Sequence, residues 1–350
     1  MVSELLRRLG EEHRLSLQEY RLLVEGFSPE TAALARTLAQ PLQKAHYQNK
    51  VFIRGLIEIG NVCKNDCYYC GIRRSNQRAE RYRLSPREIL ACCEEGYRLG
   101  FRTFVLQGGE GSPEAVLPIC SLLREIKARF PDCCITLSLG EYPREVYEAF
   151  LASGAERYLL RHETADKAHY QKLHPGEMSF ERRFSCLDAL RDLGFQVGCG
   201  FMVGSPYQSA KTLAKDLKFI EEFGPEMCGI GPFLPQKDTP FRDKAAGTRD
   251  MTLYLLSLLR LMIPDLLLPS TTALGTVNAD GRLKGILAGG NVIMPNLSPQ
   301  AVRKKYALYD GKVYSGCEAA EGLAQLKESL ATIGHTVAVS RGDMNGFRRK

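Results

Sequence analysis

The sequence predicts an α/β fold, a complete (β/α)8 barrel of the TIM type, and two observations support this prediction. Between residues 51 and 294, eight short apolar runs alternate with segments of helical pattern. The length of 350 residues suits one large domain with short additions at its ends. Alternating strands and helices build a parallel sheet, and eight such pairs close into a barrel.

Each predicted strand is a short run rich in β-branched or other apolar residues. The first is VFIRGLIEIGN, at 51–61. The other seven lie at 103–107, 134–139, 157–162, 196–203, 227–231, 267–271 and 291–294.

Helices are predicted between these strands. The clearest start is Ser85-Pro86-Arg87-Glu88, with an N-cap serine, a proline at the first helical position and a capping glutamate; this helix runs to Gly100. The others lie at 113–129, 144–153, 180–193, 210–223 and 251–262, with a shorter segment at 282–288. We expect an N-terminal helical extension at 1–48, the barrel at 49–297 and a C-terminal helical cap at 298–350.

Composition and charge narrow the class of protein. Hydrophobic residues make up 44% of the chain, enough for a large core. No apolar run reaches the roughly 18 to 20 residues of a membrane span, and the charged N-terminus lacks a signal-peptide pattern, so we expect a cytoplasmic protein without membrane contacts. The net charge of +7 is dispersed, which disfavours nucleic-acid binding. The basic stretches at 73–83 and 348–350 are exceptions, and the first could receive an anionic substrate or a partner.

Three of the twelve cysteines have metal-ligand spacing: Cys63, Cys67 and Cys70, in CKNDCYYC. A structural zinc site normally has four ligands in two pairs, and no second pair follows this one. Three thiolates suit a [4Fe–4S] cluster with one iron left open for a small molecule. Tyr69, just before the last cysteine, could pack against a nucleobase. The pattern matches the radical S-adenosylmethionine (SAM) signature, and a zinc loop remains the alternative.

Polar and glycine-rich residues follow the predicted strands, at the end where barrels of this kind carry their chemistry. Gly108 and Gly109 would let the backbone approach a ligand closely. Any one of these positions could be a structural turn, but their placement around one rim favours a ligand site. The segments are Gln107-Gly108-Gly109-Glu110, Gly140-Glu141, Arg161-His162-Glu163-Thr164, Met202-Val203-Gly204, Gly229-Ile230-Gly231-Pro232, Ser270-Thr271-Thr272 and Met294-Pro295-Asn296, and the third strand also carries Thr136 and Ser138.

Several sequence blocks together resemble one family. The blocks are CKNDCYYCGIRR, VLQGGE, LSLGE, RYLLRHETA, GIGPFLP with DTP, TTALGT and NVIMPN, within about residues 50–312. They resemble the HydE family, the radical SAM maturases of [FeFe]-hydrogenase. Biotin synthase and methylornithine synthase are relatives with the same barrel and cluster loop, and methylornithine synthase is the nearest rival. The resemblance implies an enzyme that cleaves SAM to a 5′-deoxyadenosyl radical during assembly of the hydrogenase di-iron subcluster, part of the H-cluster.

The resemblance also implies roles for individual residues. Cys63, Cys67 and Cys70 would hold the cluster, and SAM would chelate its open iron. Contacts to SAM are expected from Tyr69, Gln107, Gly108, Gly109, Ser138, Glu163 and Arg183. The substrate cavity would be lined by Arg161, Met227, Thr271, Thr272, Tyr306 and Tyr309.

Simpler explanations stay open for three of these positions. Arg183 adjoins Arg182, and either could contact SAM or lie on a helix surface. Met227 could be a core residue. His162, beside Arg161, could be a structural histidine at a strand end.

Cofactors and partners follow from the same resemblance. It implies a small-molecule or organometallic iron substrate supplied by HydG, a product delivered to HydF, and a reductant such as ferredoxin or flavodoxin. Some family members carry a second cysteine cluster near the C-terminus, but KVYSGCEAAEGLAQL holds only Cys317, so we expect one cluster.

Two other functions remain open at this point. One is a methylornithine synthase-like or biotin synthase-like enzyme that acts on an amino acid or other small organic substrate. The other is a non-catalytic iron–sulfur or zinc module that binds partners through the basic stretch 73–83.

Overall fold

A parallel sheet forms the centre of the molecule in the computed structural model, which describes residues 1–347 without the side chains of Pro113 and Cys317. The basic residues 348–350 and the thiol of Cys317 lie outside this described part. The strands in chain order are β1 (Lys50–Ile53), β2 (Gly55–Gly60), β3 (Thr103–Gly108), β4 (Cys134–Ser138), β5 (Ala155–Leu159), β6 (Gln196–Cys199), β7 (Met202–Val203), β8 (Met227–Cys228), β9 (Gly231–Pro232), β10 (Val292–Ile293) and β11 (Thr336–Ala338).

Helices follow most of the strands. They are α1 (Val2–Glu12), α2 (Leu17–Glu25), α3 (Pro29–Tyr47), α4 (Pro86–Arg98), α5 (Val116–Arg129), α6 (Arg144–Ala152), α7 (Lys167–Leu173), α8 (Phe180–Asp192), α9 (Ala210–Phe223), α10 (Arg249–Met262), α11 (Thr272–Val277), α12 (Gly281–Leu287), α13 (Gln300–Arg303) and α14 (Leu323–Ala331). Short 3-10 helices occupy Pro113–Ala115, Gly316–Glu318 and Ala320–Gly322. None of the helices in residues 1–347 is long and apolar enough to cross a membrane.

Six strands pair side by side in the order β2, β3, β4, β5, β6, β8, and every pair is parallel. Beyond β8 the sheet continues through single parallel bridges rather than long ladders. These bridges join Met227 to Leu267, Pro269 to Val292, and Asn296 to Leu56 of β2, which brings the sheet back to its first strand. The predicted α/β barrel class is confirmed.

Three predicted strands are divided: 51–61 splits into β1 and β2, and two others are interrupted where they approach each other. The predicted strand 196–203 divides into β6 and β7, and the predicted strand 227–231 divides into β8 and β9. Gly200, between β6 and β7, has φ of +148°, and a Cβ there would lie 2.1 Å from the carbonyl oxygen of Gly229. The close approach of the two backbones therefore requires a glycine and breaks the ladder.

The predicted strand 267–271 forms only isolated bridges. Pro269 lies in its middle, and proline has no N–H to give to a ladder. Two short helices, α7 and α11, were not predicted, because each spans only six or seven residues. By contrast, α4 begins as predicted: Ser85 N donates to Glu88 Oε2 at 2.7 Å, and Glu88 N donates to Ser85 Oγ at 3.3 Å.

The two ends of the chain cover the outside and the floor of the barrel. Helices α2 and α3 pack on α9 and α10. Strand β11 adds to β1 in parallel, with Lys50 opposite Thr336. The segment after β11 then closes the end at which the strands begin: the carbonyl oxygen of Arg341 accepts from Arg157 Nη2 at 2.9 Å, and Asp343 Oδ1 accepts from the same atom at 2.6 Å.

Candidate iron–sulfur cluster and cofactor site

The three motif cysteines lie in the loop between β2 and α4, at the end where the strands finish. Each is half-buried and none is in a disulfide. Burial raises the pKa of all three thiols, to about 12 for Cys70, and the charges of Cys70 and Cys63 further raise that of Cys67. The thiols are therefore close enough to repel one another when ionised, and a cationic iron centre would remove that repulsion.

Side chains of the loop itself fix its shape. The Asp66 carboxylate accepts hydrogen bonds from Arg73 Nε at 2.8 Å and Arg73 Nη2 at 2.6 Å, and from the Ser75 backbone N–H at 3.0 Å. Arg81 donates to the carbonyl oxygens of Ile72 at 2.8 Å and of Asn61 at 2.7 Å. The basic stretch 73–83 thus includes arginines that hold the cysteine loop rather than face a partner.

The donor set of this loop suits an iron–sulfur cluster better than a single metal ion. In the described chain, no three His, Cys, Asp or Glu side chains gather around one metal position. A four-iron cluster binds each thiolate through a different iron, so its ligands need not meet at one point. Three thiolates also match a cluster that keeps one iron open.

Tyr69 is held rigidly beside the cysteines. Its hydroxyl lies 3.2 Å from Nε2 of His174, and the two rings meet edge to face with centroids 5.5 Å apart. His174 stacks in turn on Tyr170, with ring centroids 4.0 Å apart. The Tyr69 ring is thereby fixed next to the candidate cluster.

Gly109 allows the cysteine loop to lie against the end of β3. Its N–H donates to the carbonyl oxygen of Gly60 at 3.1 Å. A Cβ at Gly109 would lie 2.3 Å from the Val62 carbonyl oxygen and 2.8 Å from Cβ of Cys63, distances that atoms cannot occupy. The preceding Gln107 donates from Nε2 to the hydroxyl of Tyr306 at 3.4 Å. Both predicted positions therefore lie at the same rim as the cysteines.

Arg183 and Arg182 occupy different environments. Arg183 is buried, and it donates from Nε to Glu141 Oε1 at 2.5 Å and from Nη1 to the Arg161 carbonyl oxygen at 2.8 Å. The side chain of Arg182 is 56% exposed and lies 3.3 Å from Glu141 Oε2. Burial alone would lower the pKa of Arg183, but Glu141 keeps it above its usual value. Arg183 is thus the arginine that faces the interior.

Glu163 is the residue whose geometry most clearly calls for a ligand. It follows β5 with φ of +64°, the left-handed region that a glutamate rarely adopts. Its Oε2 atom is buried and has no hydrogen-bond partner among the described residues, while Oε1 lies 3.9 Å from Arg161 Nε. Strained backbone and an unsatisfied buried acceptor are features that cluster at binding sites.

Four of the predicted cavity residues lie in the C-terminal part of the chain: Thr271, Thr272, Tyr306 and Tyr309. Tyr306 is buried, and Lys312 Nζ lies 4.8 Å from its ring centroid. Thr271 Oγ1 is buried without a partner in the described chain, and Thr272 begins α11. Tyr309 is half-buried, and burial raises its pKa. Ser138 ends β4 opposite Gln107 in the sheet register.

Met227 lies elsewhere. Its sulfur accepts a hydrogen bond from Arg54 Nη1 at 2.9 Å, and its side chain packs with Tyr47 and Val292. Because Arg54 precedes β2, this is the end at which the strands begin. We therefore place Met227 in the barrel floor, outside the candidate site.

His162 is a structural residue: its Nδ1 accepts from the Gly200 N–H at 3.2 Å.

Two residues that hold the cysteine loop, Asp66 and Arg81, were not predicted as site residues. Glu141, in one of the predicted rim segments, binds Arg183. The only signal in the sequence for Asp66 is one acidic residue in a stretch rich in arginine. Their partners are far apart or irregular along the chain, so no spacing rule identifies them.

The chain is similar to several known proteins. Residues 57–220 match the family described as the Radical SAM superfamily. The [FeFe] hydrogenase maturase subunit HydE of Thermotoga maritima is 43% identical over 79% of this chain and 78% of its own length. The crystal structure of methylornithine synthase (PylB) has a TM-score of 0.83 at 26% identity, covering 95% of this chain and 97% of that one. HydG from Carboxydothermus hydrogenoformans has a TM-score of 0.82 at 18% identity over 97% of this chain and 79% of its own, a likeness of fold alone.

Proposed function

Because the chain belongs to the HydE family of radical SAM enzymes, we propose that it cleaves SAM reductively to a 5′-deoxyadenosyl radical and acts in assembly of the di-iron subcluster of [FeFe]-hydrogenase. The observation that carries this proposal is the arrangement at one rim of three cysteines, the fixed ring of Tyr69 and the unsatisfied Glu163 carboxylate. A cytoplasmic location fits this role.

Cys63, Cys67 and Cys70 would hold one [4Fe–4S] cluster, which when bound supplies the electron for SAM cleavage. The protein's own residues would orient SAM and the substrate and exclude water from the cavity. Burial of the thiols and the hydrogen-bonded loop would fix the position of the cluster. The C-terminal segment around Asp343 closes the other end of the barrel, so that a radical formed inside would not meet solvent from below.

SAM would bind between the cysteine loop and the strand ends. The Tyr69 ring would lie against adenine, and the backbone at Gly108 and Gly109 would face the methionine amino group. Glu163 Oε2 would accept from the ribose hydroxyls or the ammonium group, which would satisfy its missing hydrogen bond.

The other contacts to SAM would come from Arg183, Ser138 and Gln107. Glu141 and the Arg161 carbonyl occupy Nε and Nη1 of Arg183, which leaves Nη2 for the SAM carboxylate. Ser138 and Gln107 lie opposite each other at the ends of β4 and β3 and would contribute polar contacts.

The substrate would occupy the cavity lined by Arg161, Thr271, Thr272, Tyr306 and Tyr309. The unpartnered Thr271 hydroxyl and the half-exposed Arg161 offer donors to a polar or anionic ligand. We propose an organometallic iron unit supplied by HydG, a product passed to HydF, and a ferredoxin or flavodoxin as reductant. With Cys317 as the single cysteine of the C-terminal region, we propose one cluster per chain.

A methylornithine synthase-like activity is the second candidate. It is favoured by the TM-score of 0.83 to methylornithine synthase, over almost the whole of both chains. That enzyme class would act on an amino acid, so incubation with lysine and SAM separates the two functions by product.

The test is anaerobic reconstitution with iron and sulfide, reduction with dithionite and addition of SAM. We expect about four irons per chain, an EPR change when SAM binds, and 5′-deoxyadenosine as product. A Cys63→Ala, Cys67→Ala, Cys70→Ala variant should retain the fold and lose all three signals. Addition of HydG and HydF with apo-hydrogenase should then restore hydrogenase activity with this chain as the HydE component. Equal results for wild type and the triple variant would overturn the proposal.

A further inference from the structure

An aromatic side chain stands between two lysines on the surface near the cysteine loop. Tyr207 is 53% exposed and has φ of +67°, a left-handed conformation that is unusual for an aromatic residue. Lys172 Nζ lies 5.2 Å and Lys244 Nζ 5.1 Å from its ring centroid. Both lysines are exposed, and neither forms an ion pair with any described residue. We call this patch the Tyr207 surface.

The Tyr207 surface is continuous with the loop that carries the cysteines. The ring centroid of Tyr207 lies 6.3 Å from that of Phe241, which lies 6.0 Å from that of Tyr68. Tyr68 directly follows Cys67, and its N–H donates to the Leu173 carbonyl oxygen at 3.1 Å. Since Leu173 follows Lys172, one lysine is anchored to the backbone that positions the cysteine loop.

The chemistry of this patch selects the kind of partner. Two uncompensated ammonium groups attract an acidic surface, and an exposed, rigid aromatic ring offers contact area at little entropic cost. The chain's net charge of +7 adds a long-range attraction for acidic proteins. The ring contacts from Tyr207 through Phe241 to Tyr68 link this patch to the residue next to Cys67.

We propose that the Tyr207 surface docks an acidic, one-electron carrier protein of the flavodoxin class, a site that rests on the proposed function. In the step it serves, one electron passes from the reduced carrier to the iron–sulfur cluster. The carrier is oxidised by one electron and the cluster reduced by one, and no bond or proton is exchanged.

The test compares two double variants that carry the same change in charge. Lys172→Glu with Lys244→Glu reverses the Tyr207 surface, and Lys44→Glu with Lys327→Glu reverses two exposed, unpaired lysines on α3 and α14. Binding of oxidised flavodoxin to the reconstituted protein is measured by calorimetry at low salt. We expect roughly tenfold weaker binding for the first variant and wild-type binding for the second.

Kinetics provide the second readout. With reduced flavodoxin as donor, the cluster absorbance of the first variant should bleach about tenfold more slowly than that of wild type, and 5′-deoxyadenosine should form about tenfold more slowly. With dithionite as donor, the first variant and wild type should react at the same rate. Equal binding by all three proteins, or equal loss in both double variants, would overturn the docking site. Failure of the dithionite reaction in wild type would instead overturn the proposed function. Binding of HydG rather than flavodoxin at this surface, shown by the same calorimetry, would also overturn the assignment.

Discussion

Arg183 and Glu141 form a buried ion pair, with Nε of the arginine 2.5 Å from Oε1 of the glutamate. The same guanidinium donates to the carbonyl oxygen of Arg161, two residues before Glu163. The pair therefore joins the end of β4 to the turn that carries the unsatisfied carboxylate. Because the two charges neutralise each other, the arginine can stay charged in the interior and still keep one face for a ligand carboxylate.

Replacing Arg183 with lysine should weaken SAM binding more than it weakens the fold. An ammonium group keeps the charge beside Glu141 but cannot hold Glu141, the Arg161 carbonyl and a carboxylate together. We expect a roughly tenfold higher SAM dissociation constant, measured by calorimetry on the reconstituted protein. Arg182→Lys, at an exposed position, is the matched control and should bind SAM like wild type. Equal effects of the two variants would contradict the assignment.

A methyl group at Gly109 should displace the cysteine loop. The added Cβ of Gly109→Ala would meet the Val62 carbonyl oxygen at 2.3 Å and Cβ of Cys63 at 2.8 Å. Because backbone is involved, the loop must shift, and we expect a clear loss of iron retained after reconstitution and desalting. Gly176→Ala is the control, since nothing lies within 4 Å of its Cβ position. Full iron content in Gly109→Ala would show that the loop tolerates the shift.

The order of strands and helices was predictable because each element has a local signal. The capping box of α4 and the apolar run of β2 are examples: each depends on residues a few positions apart. The interruptions at Gly200 and Gly229 were not predictable, since they result from contact between two strands that meet only in the fold. Strand β11 was missed for the same reason, because three residues pair with β1 nearly 290 positions earlier.

Some residues of the candidate site were likewise predictable from the sequence, and others were not. The cysteines and the glycines after β3 stand out in the sequence through spacing and composition. The choice between Arg183 and Arg182 depended on which of the two is buried, since both reach Glu141, and the sequence holds them side by side. Met227 was misplaced because a strand residue can face either the rim or the floor, and only its contact with Arg54 distinguishes the two.

Asp343→Asn should loosen the barrel floor at neutral pH. Burial alone would raise the pKa of Asp343, but Arg157, Gln196 and Arg341 lower it below its usual value. A carboxylate whose folded-state pKa is lowered stabilises the fold above its unfolded pKa of about 4, and that stabilisation is lost as pH falls through the folded value. The buried Arg157 would lose its counter-charge, so we expect a loss of roughly 2 kcal/mol at pH 7, after allowing for the partial exposure of Asp343.

The measurement is the free energy of unfolding of the apoprotein in urea between pH 3 and pH 7. The difference between wild type and Asp343→Asn should be largest at pH 7 and shrink towards pH 3. Asp188→Asn, which breaks an exposed pair with Arg191, should change stability by less than about 0.5 kcal/mol at every pH. A pH-independent difference for Asp343→Asn would mean that its packing and not its charge matters.

Glu163 provides the sharpest test of the SAM site, because its carboxylate serves no described hydrogen bond of the fold. Oε2 is buried and unpartnered among the described residues, so Glu163→Gln breaks no hydrogen bond of the fold and removes only the 3.9 Å charge contact with Arg161 Nε. Stability should therefore change little, while the SAM dissociation constant should increase about tenfold as a charge-assisted hydrogen bond is lost. Glu177→Gln, at an exposed position, is the matched control and should leave both quantities unchanged. A Glu163→Gln protein that binds SAM like wild type would show that the carboxylate faces something other than SAM. A loss of stability in the same variant would show that it serves the fold.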